Sequence, residues 1–208
     1  MEEVLVQVLQ EHGVTDRRVL EAFRRTPREL FVPAEHTRAA YLDVPLSIPH
    51  GQVTTQPSLI AQMLTALRLT GKERVLEVGT GLGFQTALLG RLAREVWSIE
   101  CQPDLADQAR ANLAKTDVHN VTVVVGDGTQ GLPDHAPYEG IVVAAAAPHV
   151  PEPLTEQLTE GGRLVQPIGP GGMDEVFAFT KRHNHLVQEE LVTPAHFVPL
   201  LGRYGLPG

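Results

Sequence analysis

Apolar positions change their spacing twice along this chain of 208 residues. Over residues 1–10 and 15–25 they recur at helical intervals, with Gly13 between the two segments and Thr15 or Asp16 placed to cap the second, which predicts two short helices. Between residues 27 and 55 prolines and polar side chains interrupt every period, so irregular chain is expected. A third helix is predicted from Pro57, because a proline in the first turn withholds an N–H that would have had no partner. Leu59, Ile60, Met63, Leu64 and Leu67 then fall on one face.

Beyond Gly71 short apolar runs alternate with helical patterns. Residues 74–78, 95–100, 121–125 and 140–144 read as strands, and 84–93, 103–115 and 153–159 as helices. Residues 163–167, 175–181 and 189–192 read as closing strands joined by turns. The near-continuous apolar character of the middle strands suits burial on both faces of a parallel sheet. The pattern predicts a doubly wound, mostly parallel α/β sheet over residues 57–208. A helical and loop extension, residues 1–56, precedes it, and the whole forms one compact unit. Sheets of this kind bind ligands at the carboxyl ends of their strands, where strand order reverses.

Composition narrows the function. An apolar content of 42% supports a sizeable core, while a formal charge of −8 opposes a sequence-independent grip on nucleic acid or anionic lipid. The one basic concentration, Arg17, Arg18, Arg24, Arg25 and Arg28, reads as the solvated face of an N-terminal helix. A single cysteine, Cys101, excludes an internal disulfide and a multi-cysteine zinc site, and it has no neighbouring histidine to generate a thiolate. With no charged-then-apolar leader and no run long enough to span a bilayer, a cytoplasmic protein is expected; no metal and a monomeric state are further expectations. The segment HNH at 183–185 reads as a hairpin turn, and His119, His135 and His196 as structural or exposed.

The chemistry concentrates in three stretches. VLEVGTGLGFQT places Gly79, Thr80, Gly81 and Gly83 in a turn between a strand and a helix, where glycines allow close approach of backbone to ligand. The next strand ends in Glu100, placed to accept hydrogen bonds from ribose hydroxyls. The dinucleotide fingerprint would put its third glycine one residue beyond Gly83, and Glu77 would repel a pyrophosphate. A ligand with an ammonium group would gain from Glu77 instead. S-adenosyl-L-methionine has that ammonium, a ribose, and an adenine whose amine can donate to Asp127 in VVVGDGTQG, with Gly128 giving room. The third stretch, HGQVTTQP, sets His50, Thr54 and Thr55 just ahead of the Pro57 helix.

Together these pieces resemble the protein-L-isoaspartate (D-aspartate) O-methyltransferase family. The resemblance rests on TPRELFVP, AYLDVPLSIPHGQVTTQPSLIAQML, VLEVGTGLGFQTALL, SIE, GDG, IVVAAAAPHVP, GGRLVQPIG and FVPLLG, in family order over nearly the whole chain. It implies a Rossmann-like S-adenosylmethionine-dependent methyltransferase fold. It also implies methylation of the α-carboxylate of L-isoaspartyl residues in age-damaged proteins and peptides, with S-adenosyl-L-homocysteine as product and repair as outcome. Thr55 stands where the family usually has the serine regarded as part of its active site. Ala144 replaces a common Thr, His149 an acidic residue, Leu82 a small residue and Phe84 a frequent Tyr.

An ionised carboxylate attacking a methyl sulfonium needs no general base, so Thr55 is the candidate catalytic group, orienting the carboxylate, with Thr54 and His50 beside it. The alanine run beginning at Ala144, which includes Ala145 and Ala146, has little bulk at the ligand edge; it suits either a peptide backbone or tight packing, and the resemblance favours the substrate. By resemblance Val198 and Pro199 also lie near the cleft. A relative acting on another carboxylate or small substrate, and a non-catalytic cofactor-binding module, are the alternatives.

Overall fold

The computed structural model describes residues 2–207. Helix α1 (Glu2–Glu11) buries Leu5, Val6 and Leu9, and α2 (Arg17–Arg24) buries Val19, Leu20, Ala22 and Phe23. Asp16 caps α2, its carboxylate accepting from the N–H groups of Arg18 and Val19. Met1, predicted as helical, lies outside the described residues. The stretch over residues 27–55 contains three 3-10 turns and a two-stranded antiparallel ribbon, β1 (Leu46–Ser47) with β2 (Val53–Thr54). Helix α3 (Pro57–Leu67) starts on its proline, and Asp43 accepts from Ser58 N–H at 2.8 Å, fastening the preceding loop to the helix.

The sheet follows: β3 (Arg74–Val78), α4 (Phe84–Leu92), β4 (Glu95–Glu100), α5 (Pro103–Leu113), β5 (Val121–Val125), β6 (Tyr138–Val143), α6 (Glu152–Gln157), β7 (Leu158–Ile168), β8 (Asp174–Arg182) and β9 (His185–Ala195). Strand order is β5-β4-β3-β6-β7-β8-β9, parallel from β5 through β7 and antiparallel thereafter. One face packs Val75, Val96, Val142 and Val165 against α3 and α4, with α1 and α2 contributing to the same cluster. The other carries Leu76, Val78, Ile141 and Leu164 against Leu154 of α6 and Leu200. Both faces are covered, as a doubly wound parallel sheet requires.

The largest departures from the sequence pattern fall around the last strands. The predicted helix 153–159 is α6, ending at Gln157, because Leu158 enters the sheet opposite Tyr138; β7 accordingly begins five residues before the predicted 163. The predicted strand 189–192 grows to an eleven-residue β9 because pairing with β8 runs its full length, despite mostly exposed side chains. The hairpin joining them turns on His183 (φ 52°) and Asn184 (φ 64°), two consecutive left-handed residues that match the twist of the flanking strands. The basic stretch is also not a single solvated face, since Arg28 is wholly enclosed.

Candidate active site

The strand order reverses between β3 and β6, and the carboxyl ends of these strands flank a cleft. The turn leaving β3 holds Gly79 (φ 94°), Gly81 (φ 56°) and Gly83 (φ 96°) in the left-handed region that side chains resist. A Cβ on Gly79 would stand 3.3 Å from the Cβ of Ala144, so the two strand ends meet closely. Glu100 ties β4 to this turn: one carboxylate oxygen accepts from Gly81 N–H at 2.8 Å and the other from Gln102 N–H at 3.0 Å. Gly79, Thr80, Gly81, Glu100 and Gly128 all line the cleft, and Gly83 sits at the start of α4 behind it.

Glu77 does not line the cleft, which corrects the direct ligand contact expected for it. It is fully enclosed beneath the turn, accepting from Gln85 Nε2 (3.0 Å), Ser98 Oγ (2.6 Å) and Thr86 Oγ1. Ser98 in turn shares a hydrogen bond with Thr80 Oγ1, so Glu77 braces the glycine turn from below. Burial pushes its carboxyl up to about 7; the three donors offset part of that rise, and the nearby Glu100 charge adds to it.

Asp127 is likewise occupied. It accepts from the N–H and hydroxyl of Thr129, from Gln130 Nε2 and from Arg203 N–H (2.9 Å), and so pins the C-terminal segment rather than lining the cleft. Its neighbour Gly128 does line it, packed so tightly on Val78 that a Cβ would overlap Val78 Cγ1.

On the opposite wall lie Ile48, Gln52, Val53, Thr54 and Thr55, followed by Ile60. Thr54 is buried and Thr55 half-buried, and among the described residues neither hydroxyl has a hydrogen-bond partner. His50 is exposed and outside the lining; Nε2 contacts both carboxylate oxygens of Asp104 (2.9 and 2.8 Å), joining the ribbon loop to α5. That bond holds the Asp104 carboxyl below its ordinary value.

The alanine run divides. Ala144 and Ala145 line the cleft, whereas Ala146 is fully buried and main-chain paired: its N–H donates to Val198 (2.8 Å) and its carbonyl accepts from Leu200 (2.7 Å). This pairing brings Phe197, Val198, Pro199, Leu200 and Leu201 into the lining. Gln102, Leu105 and Gln85 also line it without having been singled out from the pattern, as does Cys101, which the sequence raised only as a thiol. Cys101 and Gln102 had a usable signal, since they directly follow the acidic strand end; Leu105, Gln85 and Phe197 read as ordinary core positions. Burial and the Glu100 charge both raise the Cys101 thiol above its usual value, which keeps it a thiol. Among the described residues no group of three or more His, Cys, Asp or Glu could hold a metal ion, and no helix is long and apolar enough to cross a membrane.

Strand order, glycine turn and acidic strand end define a Rossmann-like methyltransferase fold. A family model described as protein-L-isoaspartate(D-aspartate) O-methyltransferase matches residues 1–205, and the chain belongs to that family. A protein-L-isoaspartate O-methyltransferase of Methanoculleus marisnigri is 47% identical over 207 residues, covering 100% of this chain and 94% of that protein. A solved protein-L-isoaspartate O-methyltransferase superposes with a TM-score of 0.88 at 31% identity, covering 99% of this chain and 67% of the other. A second, a putative protein-L-isoaspartate O-methyltransferase from Plasmodium falciparum in complex with S-adenosyl-L-homocysteine, gives 0.82 at 21% identity, with 95% and 96% covered, and bears on the fold alone.

Proposed function

We propose that this chain transfers a methyl group from S-adenosyl-L-methionine to the α-carboxylate of L-isoaspartyl residues in age-damaged proteins and peptides, releasing S-adenosyl-L-homocysteine and a methyl ester that begins repair. The observation that carries the reading is the pair of unpartnered hydroxyls, Thr54 and Thr55, in the same cleft as the Glu100-bound glycine turn. Family membership favours this substrate over another carboxylate and over a non-catalytic module.

The residues present fit the cofactor. Glu100 Oε1 accepts from Gln102 N–H and the Cys101 thiol, while Oε2 spends one acceptor site on Gly81 N–H and has a second to offer a ribose hydroxyl. Gly79, Gly81 and Gly128 present bare backbone to the cleft. When bound, S-adenosyl-L-methionine supplies an electrophilic methyl sulfonium. The substrate carboxylate, with an ordinary pKa near ~3.9, is ionised at neutral pH, so the protein has no proton to remove. Its contribution is alignment, which can reach roughly 7 to 11 kcal/mol. The Thr55 hydroxyl donates one neutral hydrogen bond to the carboxylate, orienting it without the strong grip of a cation. Ile48, Leu105, Phe197 and Leu200 keep the cleft apolar, and because opposite charges neutralise along the reaction, exclusion of water favours the transition state.

In this reading residues 1–56 supply the substrate wall and 57–208 the methyltransferase body. The chain acts as a cytoplasmic monomer on polypeptides, and its net charge of −8 supports polypeptide over nucleic acid or anionic membrane. The test offers labelled S-adenosyl-L-methionine with matched peptides carrying isoaspartate or aspartate at one position. A base-labile methyl ester on the isoaspartyl peptide alone is expected. Equal labelling of both, or none despite measurable cofactor binding, would overturn the proposal.

A further inference from the structure

Arg28 is the largest fully buried side chain, with 0% exposure, in a loop that is otherwise half open. Its Nη1 donates to the carbonyls of Ala40 (3.2 Å) and Leu42 (3.1 Å), and Nη2 to those of Val44 (3.2 Å) and Thr55 (3.1 Å). Nε has no partner, and no carboxylate forms an ion pair with the group among the described residues. Burial pushes its pKa down to about 10 while the Asp43 charge acts the other way, so the guanidinium stays protonated at neutral pH with all its donors in place.

A buried cation without a counter-ion is costly to keep, and the four carbonyls show what it does there. Three come from alternate residues entering the β1–β2 ribbon, and the fourth from the residue leaving it. One planar fork therefore clamps both ends of the segment that forms the substrate wall. Only arginine presents donors in this fixed geometry; a lysine ammonium offers three from one point. The guanidinium carbon also lies 5.6 Å from the ring centroid of Phe84, the first residue of α4 after the glycine turn, and Phe84 lines the cleft. The same group touches the wall that carries Thr55 and the helix that starts where the cofactor turn ends.

We infer that Arg28 is the positioning residue of the transfer, setting the separation between the Thr55 hydroxyl and the glycine turn by gathering the carbonyls of residues 40, 42, 44 and 55 onto one guanidinium above Phe84. It contacts neither substrate nor cofactor. The inference rests on the role given to Thr55 above.

The test uses the full chain with Arg28→Lys and Thr55→Ala, singly and together. Hydrogen exchange, S-adenosyl-L-homocysteine affinity, and kcat and KM for the isoaspartyl peptide are measured for each. Arg28→Lys is expected to melt cooperatively, keep its affinity for S-adenosyl-L-homocysteine, exchange faster over residues 40–56 alone, and lose about ten- to a hundredfold in kcat, as misplacement of a reacting group by about 1 Å does. The double variant is expected to be no slower than the slower single one, because the two residues act through one contact. Wild-type kcat, unchanged exchange over 40–56, multiplicative losses in the double variant, or loss of the whole fold would each overturn the inference. If Thr55→Ala alone turns over normally, it is the role of Thr55 that fails. The local exchange and kcat of Arg28→Lys then still decide whether Arg28 sets the wall.

Discussion

Glu100 accepts a hydrogen bond from the backbone N–H of Gly81 at 2.8 Å, so the end of one strand holds the glycine turn that leaves its neighbour. The same carboxylate takes Gln102 N–H on its other oxygen. In Glu100→Gln an amide NH₂ must face one of these backbone donors, and an acceptor for the ribose is lost. Affinity for S-adenosyl-L-homocysteine should fall roughly ten- to a hundredfold, the worth of a hydrogen bond to a charged group. Calorimetric titration checks it, and an unchanged dissociation constant would remove Glu100 from the cofactor site.

Thr55 presents a free hydroxyl to the cleft while its carbonyl is held from behind by Arg28. Thr55→Ala should lower kcat by about one to two orders of magnitude and leave cofactor affinity nearly unchanged, since the lost bond is to the reacting carboxylate. Thr55→Ser keeps the hydroxyl and should retain most activity. Steady-state kinetics on the isoaspartyl peptide, paired with cofactor titration, separates the two effects; weak cofactor binding by the alanine variant would place Thr55 on the wrong side of the cleft.

Glu77 links stability to pH. Its carboxyl is pushed up from 4.5 to about 7, so the folded protein holds this proton more tightly than the unfolded chain does. Its contribution is fully present below the unfolded value and is lost as pH rises through about 7. Relative to Glu77→Gln, which cannot ionise, the wild type should lose roughly 3 kcal/mol of unfolding free energy between about pH 4.5 and values above 7. Urea denaturation of both proteins across that window measures the difference; parallel stability curves would show that Glu77 is not titrating in the folded state.

Gly128 leaves no space for a methyl group, because a Cβ there would overlap Val78 Cγ1. Gly128→Ala should destabilise by about 1–3 kcal/mol through overpacking. Adding Val78→Ala should recover part of the loss, since it removes the atom in the way. Thermal denaturation of the single and double variants tests this, and independent, additive losses would count against the packing account.

Local pattern carried much of the architecture. Strands 74–78, 95–100 and 121–125 and the start of the helix at Pro57 match the structure residue for residue, because side-chain period and turn chemistry are properties of neighbouring residues. The glycine turn and Glu100 were legible for the same reason: a glycine-rich turn after one strand and an acid at the end of the next are read directly from the order of residues. Where the apolar pattern alone had to place a boundary it slipped, as at Leu158, whose partner Tyr138 lies twenty residues earlier.

What the sequence by itself determined, then, is the alternation of strands and helices and the short stretches where a glycine-rich turn, an acidic strand end and a hydroxyl-rich loop stand. Only the tertiary structure decided what each polar side chain does there. It turned Glu77 under the turn, engaged Asp127 with Arg203, drew His50 onto Asp104, and enclosed Arg28 among carbonyls up to 27 residues away. Burial and hydrogen-bond partnership depend on residues that meet only when the chain closes on itself, and Asp127 and Arg203 are 76 positions apart.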